Sequence, residues 1–459
     1  MTIKVKFLGA AGTVTGSKYL VSGAGKKILV DAGLFQGKRE WRERNWNDPE
    51  VNLKELDAVL LTHAHIDHTG ILPRYFKLGV SCPIYCTTAT HALAKILLPD
   101  SGHLQEENAA YRAKTKSSRH AKPLPLYTKE DAEGVLRLFQ SVAFNQEVKL
   151  FEGAHATWSR MGHIIGAASI TLTLGGKTIN FSGDMGRYDI PILKDPQPIP
   201  FGDLLLIEST YGDRLHTTFD TMEILKDVVN STYQRGGVLV IPSFAVGRAQ
   251  LILYYLRALK EQGDIPDLPI IVDSPMATDA TAIYRQNPEC YDDEALGIVS
   301  AGRRPFEPSK LYFIKNRQES IDLNGIDDPM IIISASGMLS GGRILHHLKH
   351  RISSPKNTLL FVGYQPPGGR GAWIKSGAKS LRLFKSEVPI RAQIEEISGL
   401  SAHGDRQEML RWCAAGQGQP GKVAVVHGEP ASAQKFKQTL EQELGWNAFV
   451  AQYLEECEV

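Results

Sequence analysis

A run of histidines and one aspartate follows a short apolar segment near residue 60. It reads HAHIDH at 63–68 and comes directly after AVLLT. In an extended chain, residues two apart point to the same side, so His63 and His65 can hold one ion. Asp67 and His68 lie where the chain turns into a predicted helix, and their offset suits a second ion. Imidazole and carboxylate ligands without thiolate are typical of Zn²⁺, and Mn²⁺ or Fe also fit.

Four side chains do not complete two metal sites that keep a position open for water, so further donors must come from elsewhere. The candidates are aspartates and histidines beside a glycine at the edge of an apolar segment. They are Asp31 in KKILVDAG, His163 in MGHIIGAAS, Asp184 in TINFSGD and His427 in KVAVVHG. Each alone could be a turn former. Together they predict polar side chains at strand ends.

Short strands and turns must position these residues over roughly the first 200 residues. KVKFLG, YLVSG and KKILVDAG predict strands, and ASITLTLGG and KTINFSGD predict two strands joined by a Gly-Gly turn. After residue 210, GGVLVIPS, PIIVD and MIIIS predict buried strands of a parallel sheet, and AQLILYYLRALKEQG predicts an amphipathic helix. We therefore predict an α/β domain over 1–209 and 391–459, interrupted by a second α/β domain over 210–390.

The composition is that of an ordinary globular protein. The 459 residues are 42% hydrophobic and 22% charged, which excludes a disordered chain and a coiled coil. The formal net charge is only +2, so a polyanionic partner would need a local basic patch. No apolar run reaches the ~18 residues of a membrane span, and the N-terminus lacks a signal peptide pattern. With five cysteines, these features predict a cytoplasmic protein without membrane contact.

One local basic patch lies between Tyr111 and Leu124. Its members are Arg112, Lys114, Lys116, Arg119, His120 and Lys122, with no acidic residue among them. The pattern fits either a solvated loop or a rim that contacts phosphates.

Other histidines are weaker candidates. His346, His347 and His350 lie in ILHHLKH, a predicted helix without the glutamate that a zincin motif requires. His155 precedes His163 by eight residues and carries no motif of its own.

The ordered motifs resemble those of the metallo-β-lactamase superfamily. Asp31, HAHIDH at 63–68, His163 in GHIIGAAS and Asp184 in SGD look like its first four motifs. The resemblance extends to the β-CASP branch of RNA-processing nucleases, the group of the mRNA 3′-end cleavage endonuclease and bacterial ribonuclease J. It implies a metallo-β-lactamase αββα sandwich with an inserted α/β β-CASP domain.

Three further motifs carry the resemblance to that branch. They are Glu208 in LLLIESTYGDR, His403 in LSAHGD and His427 in VVHGE. PSFAVGRAQ at 242–250 and SASGMLSGGR at 334–343 are similar to segments of the inserted domain.

The resemblance also implies a metal site and its residues. One Zn²⁺ would be held by His63, His65 and His163, and a second by Asp67, His68 and His427. Asp184 would bridge the two ions, and Asp31 would orient a ligand from behind.

The implied reaction is attack on phosphorus by a hydroxide that two metal ions activate, leaving a 5′-phosphate and a 3′-hydroxyl. Asp67, Glu208 and His403 are the candidate catalytic residues. His403 would be the general acid, oriented by Glu208.

In the inserted domain, Ser243, Arg248 and Ser336 are the candidate contacts to the phosphate backbone. The expected partner is RNA in single-stranded regions. DNA is a weaker expectation, and a homodimer stays open.

The leading interpretation is a zinc-dependent ribonuclease. The short segment after His427 favours an endonuclease over a 5′→3′ exoribonuclease, which stays an alternative. A small-molecule metallo-hydrolase on the same scaffold is a further alternative, and the Glu208 and His403 motifs argue against it. A non-catalytic scaffold subunit is disfavoured because every ligand of the motif set is present.

Overall fold

The structure is a computed structural model that describes residues 2–116, 122–217 and 220–459. The chain divides into two compact units. Unit 1 comprises Met1–Leu215 and His403–Val459, and unit 2 comprises His216–Ala402. The domain limits drawn from the sequence stay a prediction.

Unit 1 is built on two seven-stranded sheets. The strands of the first lie in the order Glu456–Glu458, Lys4–Phe7, Tyr19–Gly23, Lys26–Val30, Ala58–Leu60, Ile84–Thr87 and Phe139–Val142. The strands of the second lie in the order Ala448–Val450, Lys422–Val426, Leu204–Glu208, Lys177–Phe181, Ala168–Leu174, Ala154–Arg160 and Val148–Phe151. Each sheet therefore combines the early part of the chain with the return segment.

The two sheets face each other across a shared apolar core. Phe7 and Val30 of the first sheet are buried in the same cluster as Ile170 and Leu206 of the second. Burying such a side chain stabilises the fold by about 1.5–3 kcal/mol. Because every second residue of a strand points inward, the partly exposed Lys4 and Lys6 alternate with buried Val5 and Phe7.

Helices cover the outer face of each sheet. The longer α-helices of unit 1 are Arg39–Arg44, Leu72–Lys77, Thr88–Thr115, Lys129–Val135, Arg406–Ala415 and Pro430–Leu444. Separate apolar clusters join the first sheet to its helices and the second sheet to Arg406–Ala415 and Pro430–Leu444. The predicted four-layer α/β sandwich is confirmed.

Unit 2 contains a six-stranded sheet whose neighbouring strands are all parallel, as predicted. Its strand order is Leu311–Phe313, Ile270–Val272, Ile331–Ser334, Leu239–Pro242, Thr358–Phe361 and Gln393–Glu396. A hairpin pairs Ser380–Leu383 with Ser386–Pro389. Its α-helices are Thr221–Gln234, Arg248–Gln262, Pro275–Gln286, Asp293–Ser300, Arg317–Leu323, Ile344–Arg351 and Arg370–Lys375.

The helix expected after the HAHIDH motif is two helices. Ile66–Thr69 carries Asp67 and His68, and Leu72–Lys77 follows after a break. Pro73 lacks the N–H that a continuous helix would donate to the Thr69 carbonyl. The two ligand candidates therefore sit on a short, separate turn of helix.

The basic patch begins within the long helix Thr88–Thr115, which carries Arg112 and Lys114 in its last turn. Arg119 and His120 of this patch lie outside the described residues. Within the described ranges, no helix has the length and apolar character of a membrane span.

Candidate metal centre and active site

Several of the predicted ligand residues of unit 1 lie just after the ends of strands. Asp31 follows Lys26–Val30, Asp184 follows Lys177–Phe181, and His427 follows Lys422–Val426 directly. Strands of two facing sheets end at the same edge of the sandwich, so their following residues meet there. A Cβ at Gly33 would lie 1.6 Å from the Asp67 carbonyl oxygen, so only glycine allows the Asp31 turn to approach the HAHIDH loop.

One group of donors contains His63, His65, His163 and Asp184, whose ligand atoms all lie within 4.8 Å of one another. Nδ1 of His65 is 3.0 Å from Nε2 of His63 and 3.2 Å from Nε2 of His163. Oδ2 of Asp184 is 3.5 Å from Nε2 of His63 and 3.6 Å from Nε2 of His163. Burial lowers the pKa of the His63 imidazole well below its ordinary value, so its neutral form is favoured.

A second group contains Asp67, His68 and His427. Nε2 of His68 and Nε2 of His427 are 3.2 Å apart, and Oδ2 of Asp67 is 3.6 Å from Nε2 of His427. Oδ1 of Asp184 is 3.2 Å from Nε2 of His68. Asp184 therefore presents one oxygen to each group.

The donor set fits two zinc ions. Ligand atoms around a tetrahedral zinc, at about 2.0–2.1 Å from the ion, lie about 3.3 Å from one another. The separations of 3.0, 3.2, 3.5 and 3.6 Å in the first group bracket that value. Imidazole nitrogens and carboxylate oxygens are also the donor types that zinc accepts. That these seven side chains bind zinc stays a prediction, which this geometry supports.

Asp31 acts behind the second group. Its Oδ2 accepts a hydrogen bond from Nδ1 of His68 at 2.6 Å, which turns the other ring nitrogen, Nε2, towards His427 and Asp184. The hydroxyl of Thr62 donates to Asp31 at 2.9 Å and lies 3.1 Å from Nδ1 of His63. Ser17 donates to the same carboxylate at 3.3 Å. One buried carboxylate thus orients two imidazoles.

Sequence reasoning missed the hydroxyl groups of Thr62, Ser17 and Thr210. The Thr210 hydroxyl lies 3.2 Å from Nδ1 of His427 and orients that ring. Threonine and serine are common in turns, so their types gave no signal. The position of Thr62, directly before the HAHIDH motif, is the one feature that could have drawn attention to it.

Two site residues hold an uncommon backbone conformation. Asp31 has φ of 57° and His427 has φ of 47°. Residues other than glycine seldom adopt this left-handed region, and they cluster at functional sites when they do. The His427 N–H donates to the Ala10 carbonyl at 2.6 Å, which helps to hold the turn.

A histidine–carboxylate pair adjoins the first group. Nδ1 of His403 is 3.1 Å from Oε1 and 3.2 Å from Oε2 of the fully buried Glu208. Nε2 of His403 is 3.9 Å from Oδ2 of Asp184. Burial lowers the pKa of His403, but the Glu208 and Asp184 carboxylates outweigh this effect and raise the pKa to about 9. The protonated ring is therefore favoured beside the donor cluster.

The three predicted phosphate contacts belong to unit 2. Ser243 is buried and donates to the Phe244 carbonyl, and Arg248 is buried with its guanidinium donating to the Val362 carbonyl. The Ser336 hydroxyl accepts from the Ser340 N–H at 3.1 Å. Ser243 and Ser336 follow the carboxyl ends of neighbouring parallel strands. Their contact with substrate stays a prediction.

The weaker histidine candidates have other partners. Nε2 of His347 is 2.6 Å from Oδ2 of Asp273, and the His346 ring stacks on Phe384 with centroids 4.4 Å apart. His155 is 3.5 Å from Glu147 on a partly exposed strand.

Three family models match the chain. The metallo-beta-lactamase superfamily model matches residues 11–221, and the Beta-Casp domain model matches residues 249–374. The model of a Zn-dependent metallo-hydrolase RNA specificity domain matches residues 387–451.

Several named relatives are similar over most of their length. A protein of Thermus thermophilus named ribonuclease TTHA0252 is 39% identical over 92% of this chain and 92% of its own length. An RNase J-like protein of Methanocaldococcus jannaschii is 32% identical over 98% of both chains. Transcription termination factor FttA of the same archaeon, M. jannaschii, is 31% identical over 95% of this chain and 69% of its own length.

A crystal structure of an Enterococcus faecalis V583 protein of unknown function shares the fold. It covers 100% of both chains with a TM-score of 0.57 and 12% sequence identity.

Proposed function

Because this chain belongs to the metallo-β-lactamase superfamily and carries its β-CASP domain, we propose that it is a zinc-dependent ribonuclease. The observation that carries the proposal is the shared position of Asp184 between two donor groups, with the His403–Glu208 pair beside them. Relatives named ribonuclease and RNase J-like protein, and the matching RNA specificity domain, support RNA as the substrate.

His63, His65, His163 and Asp184 would hold one Zn²⁺, and Asp184, Asp67, His68 and His427 would hold the other. When bound, the zinc ions supply Lewis acidity that lowers the pKa of water and stabilises charge on phosphate oxygens. Within the chain, Asp31 and Thr62 fix the imidazole orientations. The Asp67 side chain is 22% exposed, so solvent reaches this ligand position.

His403 supplies the proton for the leaving oxygen. Glu208 accepts the Nδ1 proton of His403, which fixes the ring with Nε2 directed towards Asp184. Glu208 is itself held by the Met185 N–H at 2.6 Å, so it is a positioning residue. A protonated Nε2 is thereby kept where a substrate phosphate at the donor cluster would have its leaving oxygen. The products would carry a 5′-phosphate and a 3′-hydroxyl.

We further propose internal cleavage of single-stranded RNA. A 5′→3′ exoribonuclease is the alternative, and the experiment below distinguishes the two. Ser243, Arg248 and Ser336 remain the proposed contacts of the inserted domain to the phosphate backbone. Predicted limits at 209 and 390 remain the proposed domain boundaries.

The test is cleavage of an internally labelled RNA with either a triphosphate or a monophosphate at its 5′ end. We expect internal cuts with both ends, dependent on Zn²⁺ and lost with a chelator. Strict shortening from the monophosphate end would overturn the endonuclease assignment. Hydrolysis of a chromogenic lactam without RNA cleavage would overturn the ribonuclease assignment.

Two histidine variants provide a matched comparison. His163→Ala removes a donor nitrogen from the first group, and we expect RNA cleavage to fall by more than ~10²-fold. His155→Ala alters a nearby histidine that faces Glu147, and we expect activity to stay within about twofold of the unaltered chain, as for most surface substitutions. Equal losses in both variants would contradict the ligand assignment.

A further inference from the structure

The last two turns of the helix Thr88–Thr115 extend beyond the part that packs on unit 1. Ala109 is buried, whereas every residue over 110–116 is exposed. The helical part, 110–115, spans about 9 Å at 1.5 Å per residue, and Lys116 follows it as the C-cap. Helices in proteins draw most of their stability from packing, so this extension gains little stability from its own fold.

The exposed extension carries unbalanced positive charge. Arg112, Lys114 and Lys116 are exposed, as is Lys122 beyond the undescribed residues. Within the described ranges, none of these four cations forms an ion pair with a carboxylate. Two acids earlier on the helix have other partners: Glu106 accepts from the Lys129 N–H, and Glu107 lies 3.4 Å from His103.

Exposed apolar groups accompany these cations. The Tyr111 ring is 62% exposed and Leu124 is 61% exposed. A lone apolar residue on a surface needs no explanation, but an aromatic ring among uncompensated cations is the combination that single-stranded nucleic acid binds. The cations attract the phosphate backbone, and the ring offers a face on which a base can stack.

Stabilisation of the helix end explains fewer of these exposed cations and apolar groups than RNA binding does. Cations in a last helical turn interact favourably with the helix dipole, by about 0.3–1 kcal/mol each. That effect requires neither two unpacked turns nor Lys122, which follows the helix. An exposed ring is also unnecessary for it.

We propose that residues 110–116, here called the basic arm, form an RNA-binding surface separate from the donor cluster. The inference rests on the proposed function for the choice of RNA as the polyanion. The arm binds the phosphate backbone without sequence preference, through Arg112, Lys114 and Lys116, while Tyr111 stacks on a base. It would therefore change the affinity for long RNA and leave the chemical step unchanged.

The experiment compares RNA binding at several salt concentrations in the full chain. His403→Ala serves as the background, so that bound RNA stays intact. The arm variant adds Arg112→Gln, Lys114→Gln and Lys116→Gln, which keep helix propensity and remove three charges. We expect the slope of log K against log salt to become shallower by about 2, at about 0.7 per phosphate contact. At low salt the Kd should rise by about tenfold.

The control variant carries the same loss of charge elsewhere. Lys356→Gln, Lys422→Gln and Lys435→Gln alter exposed lysines far apart in the sequence, and we expect them to leave the slope unchanged. Hydrolysis of bis(p-nitrophenyl) phosphate by chains with His403 intact should be equal in the arm variant and the control. Equal slopes in both variants would overturn the proposal.

Other outcomes separate the two proposals. RNA that is bound through the arm but never cut by the unaltered chain would overturn the ribonuclease assignment and keep the arm. A lowered melting temperature with an unchanged slope would assign the cations to helix stability and overturn the arm. If the triple variant fails to fold, Lys114→Gln alone should still reduce the slope by about 0.7.

Discussion

Each unit of this molecule contains a buried aspartate in contact with histidine, yet the two clusters differ in their balance of donors and acceptors. Asp184 of unit 1 is 2% exposed and Asp273 of unit 2 is fully buried. Both follow a strand and both contact imidazole nitrogens. Burial of a carboxylate is costly unless its charge is compensated, so each cluster must find a compensating group.

Asp273 is compensated within the chain. Its oxygens accept from the Ser320 hydroxyl at 2.6 Å, from Nε2 of His347 at 2.6 Å and from Arg343 at 2.7 Å. Although burial disfavours the charged form, these hydrogen bonds lower the pKa of Asp273 below its ordinary value. Its charge is met by a guanidinium.

Among the described residues, the ion-pair partners of Asp184 are all imidazoles. Its oxygens lie 3.2–3.9 Å from ring nitrogens of several histidines. In the described part of the chain, no lysine or arginine forms an ion pair with Asp184, Asp67 or Asp31. A surplus of lone pairs without a lysine or arginine to balance it indicates a cation site, whereas a balanced set indicates a structural cluster.

The largest expected effect follows from removing the shared ligand. Asp184→Asn keeps the side-chain volume and removes the charge that both donor groups use. We expect bound zinc, measured by elemental analysis, to fall by at least one ion, and RNA cleavage to fall by more than ~10²-fold. Asp189→Asn, whose side chain is 84% exposed, is the control. Full zinc content in Asp184→Asn would contradict the interpretation of the Asp184 cluster as a metal site and of the Asp273 cluster as a structural one.

The next effect separates proton donation from metal binding. His403→Ala should lower the rate of RNA cleavage by ~10²–10⁴-fold, the usual contribution of general acid–base catalysis. Zinc content should stay at that of the unaltered chain, because His403 contacts Glu208 instead of joining a donor group. Loss of zinc from this variant would assign His403 a metal role instead.

The structural cluster should respond in stability. Asp273→Ala leaves buried His347 and partly buried Arg343 without their acceptor, so we expect the free energy of unfolding to fall by about 3–5 kcal/mol. Chemical denaturation measures this change, and Asp328→Ala at an exposed site should shift it by less than about 0.5 kcal/mol. Zinc content should not change in the folded fraction. A zinc deficit there would contradict a purely structural cluster.

The smallest effect concerns the residue behind the ligands. Asp31→Asn weakens the acceptor that holds Nδ1 of His68, and such partners contribute about 10–100-fold to metal affinity. Titration of zinc against a competing chelator measures the affinity. An unchanged affinity would mean that Ser17 and Thr62 maintain the ring orientation without the charge.

The sequence predicted the strand ends of unit 1 well, because they depend on neighbouring residues alone. An apolar run forms the strand, and Asp-Ala-Gly or His-Gly forms the turn that ends it. An apolar run that ends in aspartate also occurs at Asp273 in PIIVDS, which belongs to none of the donor groups. Asp184 and Asp273 differ in the side chains that the folded sheets place beside them. Those neighbours are distant in sequence, as Glu208 and His403 illustrate, and only the resemblance to a family joined that pair in advance.

The return of the chain to unit 1 has a consequence for protein synthesis. His403 and His427 both belong to the segment His403–Val459, which leaves the ribosome after unit 2. Domains generally fold as units, so unit 1 can be completed only once this segment is available. An incomplete translation product would therefore lack His403 and His427, and we expect it not to cleave RNA, including the messenger RNA that encodes it.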